Sequence, residues 1–216
     1  MRRVVAVVVA ALVALVPAAH GQGDTTAVAV NTRDGADVFR LAFAIRRVIS
    51  ETADTDNAAV AAASCTDCQT IALAFQVVLL FENPDELTTD NLAIAINTEC
   101  SLCETLASAY QLVLTTGGPV HFTAEANRRI QEIRRELLAL RQSDLDVFEV
   151  QQRVDALYEE LKQVVTTELV PAGPPATSTT TTTAEDDDDG TTSTTEAPTT
   201  TSTTGSSTTS TTEATP

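Results

Sequence analysis

Four cysteines carry the chemistry this chain can be read for: Cys65 and Cys68, then Cys100 and Cys103, each pair spaced C-x-x-C. That spacing serves thiol redox centres, zinc–thiolate sites and tight disulfides alike. Both pairs sit at the head of a longer repeat. CTDCQTIALAFQVVL, residues 65–79, returns as CSLCETLASAYQLVL, residues 100–114. Upstream, T-D-N-x-A-[VI]-A precedes each pair, and one residue is inserted before the second.

The ends of the chain set the compartment in which those thiols are read. MRRVVAVVVAALVALVPAAHGQ has a cationic start, an apolar run from Val4 to Val16 and small residues before Gln22. This is the pattern of a secretory signal peptide over residues 1–21, with cleavage expected before Gln22. The apolar run is short for a bilayer span, which needs about 20 residues. No membrane span is expected after cleavage. At the other end, residues 171–216 are Thr, Ser and Pro with scattered acids and almost no large apolar side chain. Such a tail cannot offset the entropy of ordering its backbone and reads as a disordered, mucin-like stalk. Its acidic run, Glu185 to Asp189, reads as solvated rather than as a calcium site. Residues 22–170 are then one folded extracytoplasmic domain, secreted or held at the cell surface.

Charge excludes one class of partner. The chain carries −17 overall. Loss of Arg2 and Arg3 with the leader makes this −19, and seven acids lie in the tail, leaving about −12 on the folded part. A domain of that charge repels nucleic-acid phosphates. The expected partner is an unknown protein or cell-envelope component, with no nucleic acid.

In an exported chain, four cysteines with none left over point first to disulfides among Cys65, Cys68, Cys100 and Cys103, the pairing left open. A structural zinc site of the same four thiolates is the alternative, and zinc the only cofactor the chain suggests. A thiol–disulfide oxidoreductase is the third reading. Other catalytic sets are missing: His121 is the only histidine after the leader, and no nucleophile elbow, H-E-x-x-H or glycine-rich phosphate loop occurs. No catalytic or cofactor-binding residue is assigned, and the domain is expected not to be an enzyme.

The elements that position the cysteines follow from periodicity. Leu92, Ile94 and Ile96 alternate with Ala93, Ala95 and Asn97, and Ala58, Val60 and Ala62 match them, so each repeat should begin as a strand. After each pair, Ile71, Ala74, Phe75 and Val78, and likewise Leu106, Ala109, Tyr110 and Val113, recur at helical spacing. Thr66-x-x-Gln69 and Ser101-x-x-Glu104 supply capping signatures. The expected unit is therefore βα, used twice (55–81 and 89–115), with C-x-x-C at each strand–helix junction and too few copies for a solenoid. Parallel strands would bring all four cysteines to one sheet edge, beside two helix N-termini.

Ahead of the repeat, AVAVNTRDGADVFRLAFAI reads as a β-hairpin turned at Asp34-Gly35. Behind it, Ile130, Ile133, Leu137 and Leu140 follow Thr123. Val147, Val150, Val154, Leu157, Leu161 and Val164 follow Ser143, and Thr123 and Ser143 are the N-cap candidates. These stripes predict an antiparallel helical hairpin over 123–169 with a coiled-coil-like seam. The fold class expected is α/β or α+β.

The run NTRDGADVFRLAFAI, with the two cysteine segments that follow it, resembles a segment of actinobacterial proteins called putative peptide zinc metalloprotease proteins. The resemblance covers Asn31 to Phe122, and C-T-D-C-Q-T is its most specific piece. It implies a shared extracytoplasmic module. Peptidase activity in those proteins belongs to a membrane portion with zinc-binding histidines, for which this chain has no matching residues.

Overall fold

The computed structural model describes residues 23–173 and 202–206. The leader, its cleavage site, the Glu185–Asp189 run and most of the tail lie outside the described residues.

Strands dominate the first half of the chain. They are β1 (Thr25–Asn31), β2 (Asp37–Val48), β3 (Thr52–Ala63), β4 (Thr66–Leu80), β5 (Glu86–Asn97) and β6 (Ser101–Thr115). Odd strands form one parallel sheet in the order β1-β3-β5. Even strands form another, β2-β4-β6, to whose edge β9 (Ser202–Ser206) adds antiparallel. The chain thus winds as a parallel β-solenoid of three coils among the described residues, each coil giving one strand to each sheet.

This corrects the expected βα unit. Residues 69–80 and 104–115 are strands, and no helix begins at either cysteine pair. The pattern misled because β4 is covered on both faces. Ile71, Leu73, Phe75, Val77 and Leu79 point to the helices, whereas Ala72 and Ala74 point to the other sheet, and all are buried. A run apolar on both faces satisfies a helical template as readily as a strand one. The expected β-hairpin is not formed either. Asp34-Gly35 turns a corner between sheets, with Gly35 at φ 63°, and β1 and β2 pair with β3 and β4 instead of each other. The segment read as a hairpin is the missing first copy, so the exclusion of a solenoid fails.

Between the sheets lies a layer of alanine: Ala27 and Ala29, Ala59 and Ala61, Ala72 and Ala74, Ala107 and Ala109. Side chains this small let the sheets approach closely, and a larger residue would overpack them. Interior amide groups donate hydrogen bonds within and between coils. Asn57 Nδ2 donates to Asn91 Oδ1 at 2.9 Å and to Tyr110 O at 3.0 Å, and Asn91 Nδ2 to Ala109 O at 3.0 Å. Gln111 Nε2 donates to Gln76 Oε1 at 2.6 Å and to Thr55 O at 2.9 Å. These amide donors tie neighbouring strands in register across a narrow interior, while Asn57 Oδ1 is buried without a partner.

The larger core lies outside the solenoid, where helices α1 (Ala124–Ala139) and α2 (Val147–Thr167) cover the even-strand sheet. Thr123 caps α1, as read from sequence. The cap of α2 is Asp146, in a reciprocal box with Glu149, and not Ser143. Ile130, Ile133, Leu137, Val150, Val154, Leu157 and Leu161 are buried as the stripes predict, but Val165 takes the inner place expected of Val164. Arg129 pairs with Glu160 and Arg153 with Glu136, tying the start of α1 to the end of α2 and the reverse. Phe43, Phe75 and Tyr110 stack across the three coils with centroids 6.1 and 4.9 Å apart, and Tyr158 of α2 closes on Tyr110 at 4.7 Å. Strands β7 (Val120–Phe122) and β8 (Leu169–Pro171) pair antiparallel at the base of the helices. Within the tail expected to be structureless, Ser202–Ser206 are a strand paired with Leu114–Tyr110. No helix among the described residues is long and apolar enough to cross a membrane.

Candidate functional site

The cysteines occupy the corners where the second and third coils pass from one sheet to the other. Parallel in-register stacking puts one corner above the next, with Cys68 and Cys103 direct partners. The ladder has an offset of 34 residues between β3 and β5, and of 35 between β4 and β6. That is the one-residue insertion read from sequence, taken up between Asn97 and Ser101.

Both corners are closed by local disulfides, Cys65–Cys68 and Cys100–Cys103, with Cα atoms 6.2 and 5.8 Å apart. Each turn has a left-handed residue at its third position: Asp67 at φ 52° and Leu102 at φ 56°. Asp visits that region with little penalty, but Leu does not, and Leu102 is 78% exposed with no packing in return. Glu99, the inserted residue, is also left-handed, at φ 51°.

The four sulfurs lie within 4.8 Å of one another. Cys68 Sγ is 3.5 Å from Cys103 Sγ, and Cys103 Sγ is 2.8 Å from Cys65 O. Oxidised sulfur carries no proton, so these are contacts and not hydrogen bonds. Cys65 and Cys68 are buried, whereas Cys100 and Cys103 are half-buried. The sequence reading that convergence follows from parallel strands holds. The two helix N-termini expected beside the thiols do not exist, and with them goes the dipole that would have lowered thiol pKa values.

A cavity of about 630 Å³ opens over this corner. Cys68, Cys103, Asp67 and Leu102 form its floor, and Ser143–Asp146, entering α2, form its far wall. Five carboxylates line it (Asp37, Asp67, Glu104, Asp144 and Asp146), and no basic residue does. The position of α2 over the corner is fixed by Gln69, whose Nε2 donates to Leu145 O at 3.0 Å and to Glu104 Oε2 at 3.1 Å. Nothing in the sequence joined Asp144 and Asp146 to the cysteines. Only the packing of α2 along β6 brings them there. His121 is on β7, exposed, and takes no part in the cavity.

Two further polar groups are displaced from their ordinary titration. Burial, then the carboxylates of Asp24, Asp54 and Asp90, push the Asp56 carboxyl up. Burial, then the hydrogen bond to Asp155, hold the Tyr110 phenol far above its usual range. Gln151 Nε2 donates to the same phenol at 2.7 Å, so the phenol anchors α2 to β6 and is not a proton donor in waiting.

The outer face of the odd-strand sheet is apolar in rows: Val28, Val60 and Ile94, then Val30, Ala62 and Ile96. Val60 is buried at its centre, whereas Val30 at 37% and Leu92 at 40% are exposed at its rim.

No family model matches the chain, and no curated protein or solved structure matches it.

Proposed function

We propose that this chain is an exported, non-enzymatic domain, secreted or retained in the cell envelope, with a binding or structural role. It is a rigid platform carried on a Thr-rich stalk. The observation that carries this reading is the stacked pair of corner disulfides, one at each of two successive corners, each a short-loop brace. Local bridges persist in oxidising compartments and are rare inside reducing ones. The exposed apolar rim of the odd-strand sheet, at Val30 and Leu92, supplies surface a partner protein or envelope component would meet.

The test is intact-mass analysis of the full chain made in a secreting host, before and after reduction, with the N-terminus sequenced. The expected product starts at Gln22, has two disulfides and is found outside the cytoplasm. A chain that keeps Met1, stays in the cytoplasm and holds free thiols overturns the proposal.

A further inference from the structure

We propose that the same four sulfurs, once reduced, form a tetrathiolate site for a soft divalent ion of the zinc class, reached through the acidic cavity. The disulfide-closed and metal-closed corners are then two redox states of one cluster, which goes beyond the platform reading and does not depend on it.

The sulfurs already stand near the spacing that a bound ion requires. A tetrahedral ion with metal–sulfur bonds of about 2.3 Å places its sulfurs about 3.8 Å apart. Here all four sulfurs already lie within 4.8 Å, and the cross-coil pair Cys68–Cys103 is at 3.5 Å. Breaking the two S–S bonds lets each local pair spread to that spacing by side-chain rotation, since the Cα atoms stay 6.2 and 5.8 Å apart. The ladder on either side of the corner is independent of the sulfurs. Ser64 N donates to Asn31 O at 2.9 Å and Thr98 N to Ala63 O at 2.9 Å, which holds the frame during reduction.

Charge sets the choice of ligand. Four thiolates beside a cavity lined by five carboxylates would repel one another and those acids. A cation relieves that repulsion, and the cavity wall attracts it while rejecting anions. Among cations, sulfur donors favour zinc-like ions over calcium or magnesium. Cys103 must turn away from Cys65 O to bind, and the half-buried side of the corner leaves it room.

Two external dithiols, one per protein disulfide, each give two electrons and become disulfides, so two protein S–S bonds break and four thiols form. The ion then replaces four S–H protons, which pass to solvent, and binding strengthens as pH rises.

The test uses the full chain reduced anaerobically with a dithiol, freed of it, and titrated with Co²⁺. One equivalent should give the absorption of a tetrahedral tetrathiolate, release about four protons and be displaced by Zn²⁺. The oxidised chain, of identical sequence, and the C68S/C103S variant should not show that spectrum. Two equivalents bound to two sulfurs each, absence of thiolate bands, or strand circular dichroism lost on reduction and not restored by Zn²⁺ would each overturn the proposal.

Discussion

The first coil turns between its sheets on hydrogen bonds, and the next two turn on sulfur. At the first corner, Asn31 is 1% exposed; its Nδ2 donates to Ala36 O at 2.6 Å and Gln69 O at 3.3 Å, and its Oδ1 accepts from Arg33 N at 3.1 Å. Asp34 Oδ1 accepts from Thr66 N at 2.8 Å, and Gly35 N donates to Thr66 O at 2.9 Å. The same change of direction is therefore available without cysteine. What the disulfides add is a corner whose closure depends on redox state.

The largest break in that comparison should come from Asn31→Ala, which takes the side-chain partner from three part-buried backbone groups. We expect a loss of about 3 kcal/mol, measured by urea unfolding. Removing a sulfur brace should cost less. A loop this short loses little entropy on closure, so C65A/C68A should destabilise by about 2 kcal/mol in the same measurement. If the cysteine pair costs more than Asn31, the two kinds of corner are not equivalent.

Leu102→Gly should move the other way. It releases a strained left-handed leucine, and after the unfolded-state entropy of glycine a gain of about 0.5 kcal/mol should remain. Asp67→Gly should gain less, because Asp tolerates that conformation.

The smallest effect concerns the opposite end of the strands, where Asp24, Asp56 and Asp90 follow one another from coil to coil. The folded-state pKa of Asp56 is raised, so its contribution is present below the ordinary carboxylate range and lost as pH rises through the raised value. Asp56→Asn should raise Tm slightly at pH 7, and the gap should close as pH falls below about 4. A gain that persists in acid would assign the effect to packing.

These corners also mark what the sequence made legible. The repeat, the insertion before Cys100 and the meeting of four sulfurs were readable, because register in a parallel stack repeats residue for residue. The helix caps were readable at Thr123, since a side-chain cap is a local signal. The secondary structure of β4 and β6 was not. Their alternation is of size, large on one face and alanine on the other, and a polar-versus-apolar template does not register it. Setting FRLAFAI (39–45) against IALAFQV (71–77) shows the same alternation and would have disclosed the third coil. The acidic wall at Asp144–Asp146 depends on a contact 76 residues apart in sequence, from Gln69 to Leu145, and no spacing rule announces it.

The helical pair also acts as a ruler. Helix α1 touches β2 and α2 runs along β6, with Gln151 at Tyr110 and Tyr158 at Gln111. Two packed helices stand about 8–10 Å apart, and the outer strands of a three-strand sheet about 9.6 Å apart. The roof therefore matches the width of the three coil strands, with β9 a fourth strand at the sheet's edge. A fourth coil would carry its large side chains beyond the eaves, and two coils would leave one helix with nothing beneath it. The helical pair is thus matched in width to the three coil strands beneath it.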